Sequence, residues 1–282
     1  MKNRYLYDIL INVQKYEKCE GIEMILRGFV HSEVLEKDTG ITIVTPHKPY
    51  SEKYKVAYLL HGLGGEQSTW TDFSMLPYYA LEGNTIYIMP NAERSFYTDM
   101  KYGFKFFTYV TEDLPKICKS VFNISADPCD TAVIGVSMGG YGALKCAMAK
   151  PENYGMCGAI APACLFLKDG LEAQNNPAKH AEILQKYGQS ILNDMIYAFG
   201  ENLEADDCCD LPTLAKKISG RDSIPKFYTA CGLQDPYHDD NMKFKDLVQE
   251  LGIGYKYEEW QGGHELPFFN DALRKVIDYF GL

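Results

Sequence analysis

Two rhythms of apolar positions run along the chain. Short segments rich in aliphatic, β-branched or aromatic residues at 25–31, 41–46, 55–60, 85–90, 132–136, 158–162, 226–231 and 255–260 read as strands. Stretches at 73–82, 106–122, 143–149, 241–251 and 270–280 read as helices. Lys37-Asp38-Thr39-Gly40 has turn chemistry, so the first two strands are predicted to form a hairpin at a sheet edge. Pro115 predicts a kink in the 106–122 helix. The block at 132–136 is apolar without alternation, the mark of a strand buried on both faces. Strands alternating with helices after an antiparallel start predict an α/β fold with a mostly parallel, doubly wound sheet.

One region breaks the pattern. From 166 to 223, helical pieces at 171–200 are followed by acidic and cysteine residues, and no strand block occurs. Such an excursion is a helical insertion, read either as a lid over a site or as ordinary surface helices. No internal repeat or low-complexity tract is visible, and residues 1–282 read as a single domain containing that insertion.

Composition narrows the function classes. The chain has 282 residues, 46% hydrophobic and 23% charged, enough to bury a sizeable core without metals or cross-links. A net charge of -10 argues against nucleic acid or an anionic membrane as partner and leaves a small neutral molecule open. The nine cysteines lack zinc-site spacing; Cys208 and Cys209 are adjacent, and most others, Cys19 apart, lie in apolar runs as buried reduced thiols. Met1-Lys2-Asn3-Arg4-Tyr5-Leu6-Tyr7-Asp8 lacks a signal peptide's apolar core, and the apolar run at 157–167 is too short to span a bilayer. A cytoplasmic location is expected. The oligomeric state is not set by these features, and a homo-oligomer stays open.

The chemistry centres on Gly135-Val136-Ser137-Met138-Gly139, which follows the 132–136 strand and precedes a helix. In that context Gly-x-Ser-x-Gly forms a sharp turn that lifts the serine above the sheet, at the positive end of a helix dipole. A serine hydroxyl needs a base to take its proton and a carboxylate to orient that base. Among six histidines, His264 is preferred, because it follows Gly262-Gly263 in the loop between the last strand and the last helix. Asp235, in the loop after the 226–231 strand, is the preferred carboxylate. Asp239 and Asp240 are its rivals, better read as partners of a helix N-terminus. Two N–H donors for an oxyanion are expected, from Met138 and from Leu63 in His61-Gly62-Leu63-Gly64-Gly65. Trp70 and Phe96 are candidates for an acyl pocket, and Trp260 lies near the site in sequence. Plain core packing is the alternative for each.

Taken together, Leu59-Leu60-His61-Gly62-Leu63-Gly64-Gly65, Met89-Pro90-Asn91-Ala92, Ser95-Phe96-Tyr97-Thr98-Asp99-Met100, Gly135-Val136-Ser137-Met138-Gly139-Gly140, Cys231-Gly232-Leu233-Gln234-Asp235 and Gly262-Gly263-His264 resemble the esterase D-like family of α/β-hydrolases. Within it the likeness is greatest to bacterial tributyrin and acetyl esterases and to feruloyl esterases. The resemblance covers nearly the whole chain beyond about residue 20. It implies an α/β-hydrolase fold and hydrolysis of a small ester without metal or organic cofactor. It assigns Ser137 as nucleophile, His264 as base, Asp235 as orienting acid, and Leu63 and Met138 as oxyanion donors. A serine carboxylesterase for short-chain or aromatic acyl esters (acetyl, butyryl or feruloyl type) is therefore expected. The likeness lapses over 166–223, where no motif matches, so the choice among these substrates stays open. A thioesterase or acyltransferase with the same residues, and a catalytically silent binding protein of the same fold, are the alternatives.

Overall fold

The computed structural model describes residues 24–47, 53–174 and 176–282; the N-terminal stretch read for a signal peptide, and Cys19, lie outside them. Strands β1 (Ile25–Ser32), β2 (Lys37–Val44), β3 (Lys55–Leu60), β4 (Thr85–Pro90), β5 (Thr131–Val136), β6 (Met156–Ile160), β7 (Lys226–Gly232) and β8 (Tyr255–Trp260) form one sheet in the order β1-β2-β4-β3-β5-β6-β7-β8. β2 pairs antiparallel with both β1 and β4, and every pairing from β4 to β8 is parallel. The fold class read from the strand pattern is the one observed.

Both faces of the sheet are covered. Val56, Tyr58 and Leu60 of β3 and Val133 of β5 point into one core; Ala57, Leu59, Ala132 and Ile134 point into the other. A central strand with apolar neighbours on both faces needs no polar alternation.

Several boundaries differ from those the sequence predicts. The first hairpin turns at residues 33–36, and Lys37 to Gly40 lie in β2. The earlier turn is set by Leu35, which is buried, and by Ser32, whose Oγ accepts the Leu35 N–H and donates to Asp113. The 73–82 segment splits into Thr69–Phe73 and Leu76–Tyr79, because Ser74 Oγ takes the Leu76 N–H and Pro77 fits only a first turn. The expected break near Pro115 is present: π-type turns span Tyr109–Asp113 before a regular helix, Leu114–Val121. Pro115 cannot bond back to Thr111, and the Asn153 side-chain amide donates to that carbonyl instead.

The 166–223 insertion contains helices Leu167–Gln174, Pro177–Phe199 and Leu211–Ile218, and no strand among its described residues. The long one is broken at Gly188, whose backbone is non-helical. Leu211–Ile218 buries Leu211, Leu214, Ala215 and Ile218 in the main core, to which the first two helices add Leu167, Leu171, Leu192, Ala198 and Phe199. Only the first two helices lie over the rim where the parallel strands end. Among the described residues no helix is long and apolar enough to cross a membrane.

Candidate active site

β5 delivers Ser137 into a tight turn before the helix Met138–Ala149. Ser137 has φ 57° and ψ -118°, a conformation an L-residue keeps only when its surroundings enforce it. Its N–H is tied to Ile160 O at 2.9 Å, and its carbonyl accepts the Tyr141 N–H at 3.1 Å. The turn is possible because strand and helix nearly touch: a Cβ on Gly135 would sit 2.0 Å from the Gly139 carbonyl oxygen.

Two further loops meet this turn. Asp235 follows β7 and His264 follows β8, and the loops are clasped by Gln234 N–H to Gly262 O at 3.0 Å and Gly262 N–H to Gln234 Oε1 at 2.8 Å. A side chain at Gly232 would come within 2.2 Å of Gly262 O, so the clasp needs glycine there. His264 Nδ1 lies 2.7 Å from Asp235 Oδ2, and His264 Nε2 lies 2.9 Å from Ser137 Oγ. A carboxylate only accepts, so Nδ1 carries the proton and Nε2 offers its lone pair to the serine hydroxyl. Asp235 Oδ1 also accepts the Tyr237 N–H at 2.9 Å, and its side chain is wholly buried. Tyr237 and Phe269 hold the imidazole edge-on, with ring centroids 5.2 and 5.0 Å away. Of the rival residues, Asp239 and Asp240 sit in the first turn of the helix His238–Glu250, and His238 faces Glu259.

The turn after β3 lies against the serine; a Cβ on Gly62 would be 3.5 Å from Ser137 Cβ. Among the described residues, neither the Leu63 nor the Met138 N–H has an acceptor. His61 fixes this turn. It is buried, its Nδ1 lies 2.7 Å from Gly62 O, and its Nε2 accepts the Ala92 N–H at 3.0 Å. Burial lowers its pKa and keeps it neutral, which those two bonds require. Arg94 braces the same turn from outside. It reaches Leu63 O at 3.5 Å, and its Nη2 binds Asp194 at 2.6 Å on the helix Pro177–Phe199.

Two cavities open on Ser137, with Leu63 in the wall of both. The smaller, about 220 Å³, contains Met138 and Phe96 and is closed by Leu171, Gln174, Ile191 and Met195 of the insertion. Gln174 Oε1 is buried there without a hydrogen-bond partner among the described residues. Cys164 also lines it, but burial pushes that thiol up to about 12, leaving it protonated and inert. The larger, about 460 Å³, contains His264, Trp70, Phe73, Leu266 and Phe269. Phe96 and Trp70 therefore line cavities as well as core; Trp70 also donates to Leu60 O at 3.2 Å. Trp260 lines neither. Its indole is stacked on Phe268 at 4.4 Å, beneath the last helix, because β8 carries it toward the lower core.

Sequence reasoning missed Gln174, Ile191 and Met195, whose spacing is that of helix packing and carries no further signal. It also missed Arg94, one charge in a polar loop. Tyr237, two residues beyond Asp235, was within reach of the loop argument. Among the described residues, no cluster of three or more His, Cys, Asp or Glu side chains suits a metal ion.

Three likenesses bear on this arrangement. A curated acetyl esterase from Caldicellulosiruptor saccharolyticus is 29% identical over 259 residues, 88% of this chain and 95% of that protein. The solved S-formylglutathione hydrolase of Staphylococcus aureus superposes with a TM-score of 0.76 at 23% identity, over 92% of this chain and 99% of that one. A solved ferulic acid esterase superposes with a TM-score of 0.67 at 22% identity, over 92% and 98%. The model of the Esterase family, described as "Putative esterase", matches residues 32–218, well over half of the chain. With the α/β-hydrolase fold of its neighbours and a serine, a histidine and an aspartate in line at the rim of its sheet, the chain belongs to the Esterase family and is a carboxylic ester hydrolase.

Proposed function

We propose that the protein is a serine carboxylesterase acting on short-chain or aromatic acyl esters through an acyl-enzyme. The observation that carries this reading is the continuous path from Asp235 through His264 to Ser137, with contacts of 2.7 and 2.9 Å. Ser137 attacks the ester carbonyl as His264 Nε2 takes its proton. Asp235 holds the imidazole in the required tautomer and stabilises the imidazolium. The negative charge on the carbonyl oxygen falls between the Leu63 and Met138 N–H groups, each worth roughly 3 kcal/mol in the transition state. His264 then protonates the departing alcohol and activates water for deacylation. No metal or organic cofactor enters this sequence.

Geometry also favours one placement of the substrate. The leaving oxygen must lie within reach of His264, and His264 lines the larger cavity. That puts the alcohol in the larger cavity and the acyl group in the smaller one, beside Met138. The apolar walls of the smaller cavity suit an alkyl or aromatic acyl group, and the free Gln174 Oε1 suits one that carries a hydroxyl.

A panel of acetyl, butyryl, octanoyl and feruloyl esters with one alcohol tests the reading. Short and aromatic acyl groups are expected to turn over and octanoyl to lag; uniform rates, or preference for octanoyl, would contradict the acyl assignment. Running the panel beside thioesters of the same acids, and with an added alcohol acceptor, separates esterase from thioesterase and transferase.

A further inference from the structure

Away from the active site, a lysine and a pair of cysteines form a second reactive cluster. Lys145, on the helix Met138–Ala149, is completely buried. Its ammonium lies over the Phe107 and Tyr141 rings, at 5.0 and 5.8 Å. Among the described residues no carboxylate pairs with it; its hydrogen bond goes to the Cys209 sulfur at 3.3 Å. A buried ammonium is costly without an anion beside it, and here the anion available is a thiolate. Two further donors face the same sulfur: the Thr98 hydroxyl at 3.1 Å and the Cys208 thiol at 3.9 Å. Hydrogen bonding from Cys208, with the charge of Lys145, holds the Cys209 thiol below its usual range, and the same pairing holds Cys208 above it.

Cys209 is 3% exposed, and access to it is from a surface cavity. Cys209 lines a polar surface cavity of about 280 Å³ between Thr98, Lys101, Tyr102, Phe199 and Asp206. Cys208, the next residue, is exposed. Low-pKa thiolates beside an accessible second thiol are the cysteines that small oxidants attack and that then resolve to disulfides.

We propose that Cys209 is a site of reversible oxidation by hydroperoxides, with Cys208 as its resolving partner. The Cys209 thiolate attacks the outer oxygen of the hydroperoxide. An S–O bond forms, the O–O bond breaks, and the alkoxide or hydroxide leaves with a proton from solvent, giving a sulfenic acid and an alcohol or water. The thiolate is oxidised by two electrons and the peroxide reduced by two. The Cys208 thiol then displaces that oxygen as water, closing a disulfide between the adjacent residues. This site is independent of ester hydrolysis, although the Tyr141 hydroxyl bonds to Cys209 O at 2.7 Å on the helix that follows Ser137.

Cys129 is the internal control. It is fully exposed, but Asp127 raises its pKa. Alkylation of wild-type protein, read by peptide mapping with fragmentation between Cys208 and Cys209, separates exposure from thiolate character. From pH 8 to pH 6 the Cys129 rate should fall about a hundredfold and the Cys209 rate by less than about twofold. The charged groups near Cys209 are Lys145 from the helix, Asp99, Lys101, Glu201, Glu204 and Asp206 around the cavity, and Asp210 beside it. Treatment with one equivalent of hydrogen peroxide should give a Cys208–Cys209 disulfide, reversed by dithiothreitol; in Cys208→Ser, dimedone should trap the sulfenic acid on Cys209. A Cys209 rate that falls with pH as steeply as that of Cys129 would overturn the proposal. So would peroxide oxidation of Cys129 that leaves Cys208 and Cys209 reduced.

Discussion

The rim that carries Ser137, Asp235 and His264 and the helices that face it are built by different means. The rim is fixed by strand ends and backbone bonds: Ser137 hangs from Ile160, and the Asp235 and His264 loops are clasped at Gln234 and Gly262. The facing helices, Leu167–Gln174 and the broken Pro177–Phe199, are held mainly by side chains such as Leu171, Leu192 and Phe199. The second also accepts the Lys101 and Tyr102 N–H groups at its C-terminal end, and a partly buried ion pair from Arg94 to Asp194 ties it to the Leu63 turn. Reacting groups need positions good to a fraction of an ångström, which a sheet edge supplies. A wall that admits substrates can tolerate and exploit looser attachment.

This contrast predicts graded effects. Changes in the rim should cost turnover, and changes in the wall should alter selection. Asp235→Asn should reduce kcat by about 10⁴-fold with the fold intact, because His264 would lose the tautomer that accepts from Ser137. Asp239→Asn, a change on an exposed first turn, should leave the rate unaltered; parity between the two variants in steady-state kinetics would break the distinction.

The next effect concerns His61, which belongs to the rim although it touches no substrate. Its pKa is lower in the folded chain than in the unfolded one, so the fold prefers the neutral ring. The stability this gives is complete above the unfolded value near about 6.5 and declines as pH falls below it. Denaturant titrations should show up to about 1.4 kcal/mol lost per pH unit in that range, relative to His61→Gln, which cannot titrate. Equal pH profiles for the two proteins would remove His61 as the cause.

In the wall, Gln174→Leu should shift acyl preference by about tenfold toward plain alkyl esters and away from hydroxyl-bearing ones, with little change in kcat for acetyl esters. Loss of acetyl turnover would show that Gln174 serves the rim instead. The smallest effect is expected of Arg94→Ala: a rise in KM of about threefold, with faster hydrogen exchange in Pro177–Phe199. An unchanged exchange pattern would mean that the long helix is held without the ion pair.

Legibility in the sequence follows the same division. The inner strand blocks were visible because burial on the sheet leaves continuous apolar runs, as at Ala132 to Val136, and the half-exposed edge strands Ile25–Ser32 and Tyr255–Trp260 because aromatic and aliphatic residues recur among polar ones. Ser137, Asp235 and His264 could be singled out because each lies in a loop just past a strand, among turn residues with a steric reason to be there. The hairpin turn was misplaced because a buried Leu35 outweighed the turn chemistry of Lys37 to Gly40. The wall was not legible. Ile191 and Met195 carry the same spacing whether a helix packs on a core or over a cavity, and only the rim beneath them decides which. Trp260 misled because nearness in sequence says nothing about the face of a strand end; it stacks on Phe268 instead.

The central claim is that Ser137 carries the acyl group. Mass spectrometry after exposure to a fluorophosphonate reports on it most directly. A single covalent adduct on Ser137 in the wild type is predicted, with none in Ser137→Ala and ester hydrolysis in that variant reduced by at least about 10³-fold. Adduct formation elsewhere, or a Ser137→Ala variant that hydrolyses p-nitrophenyl acetate as fast as the wild type, would contradict it.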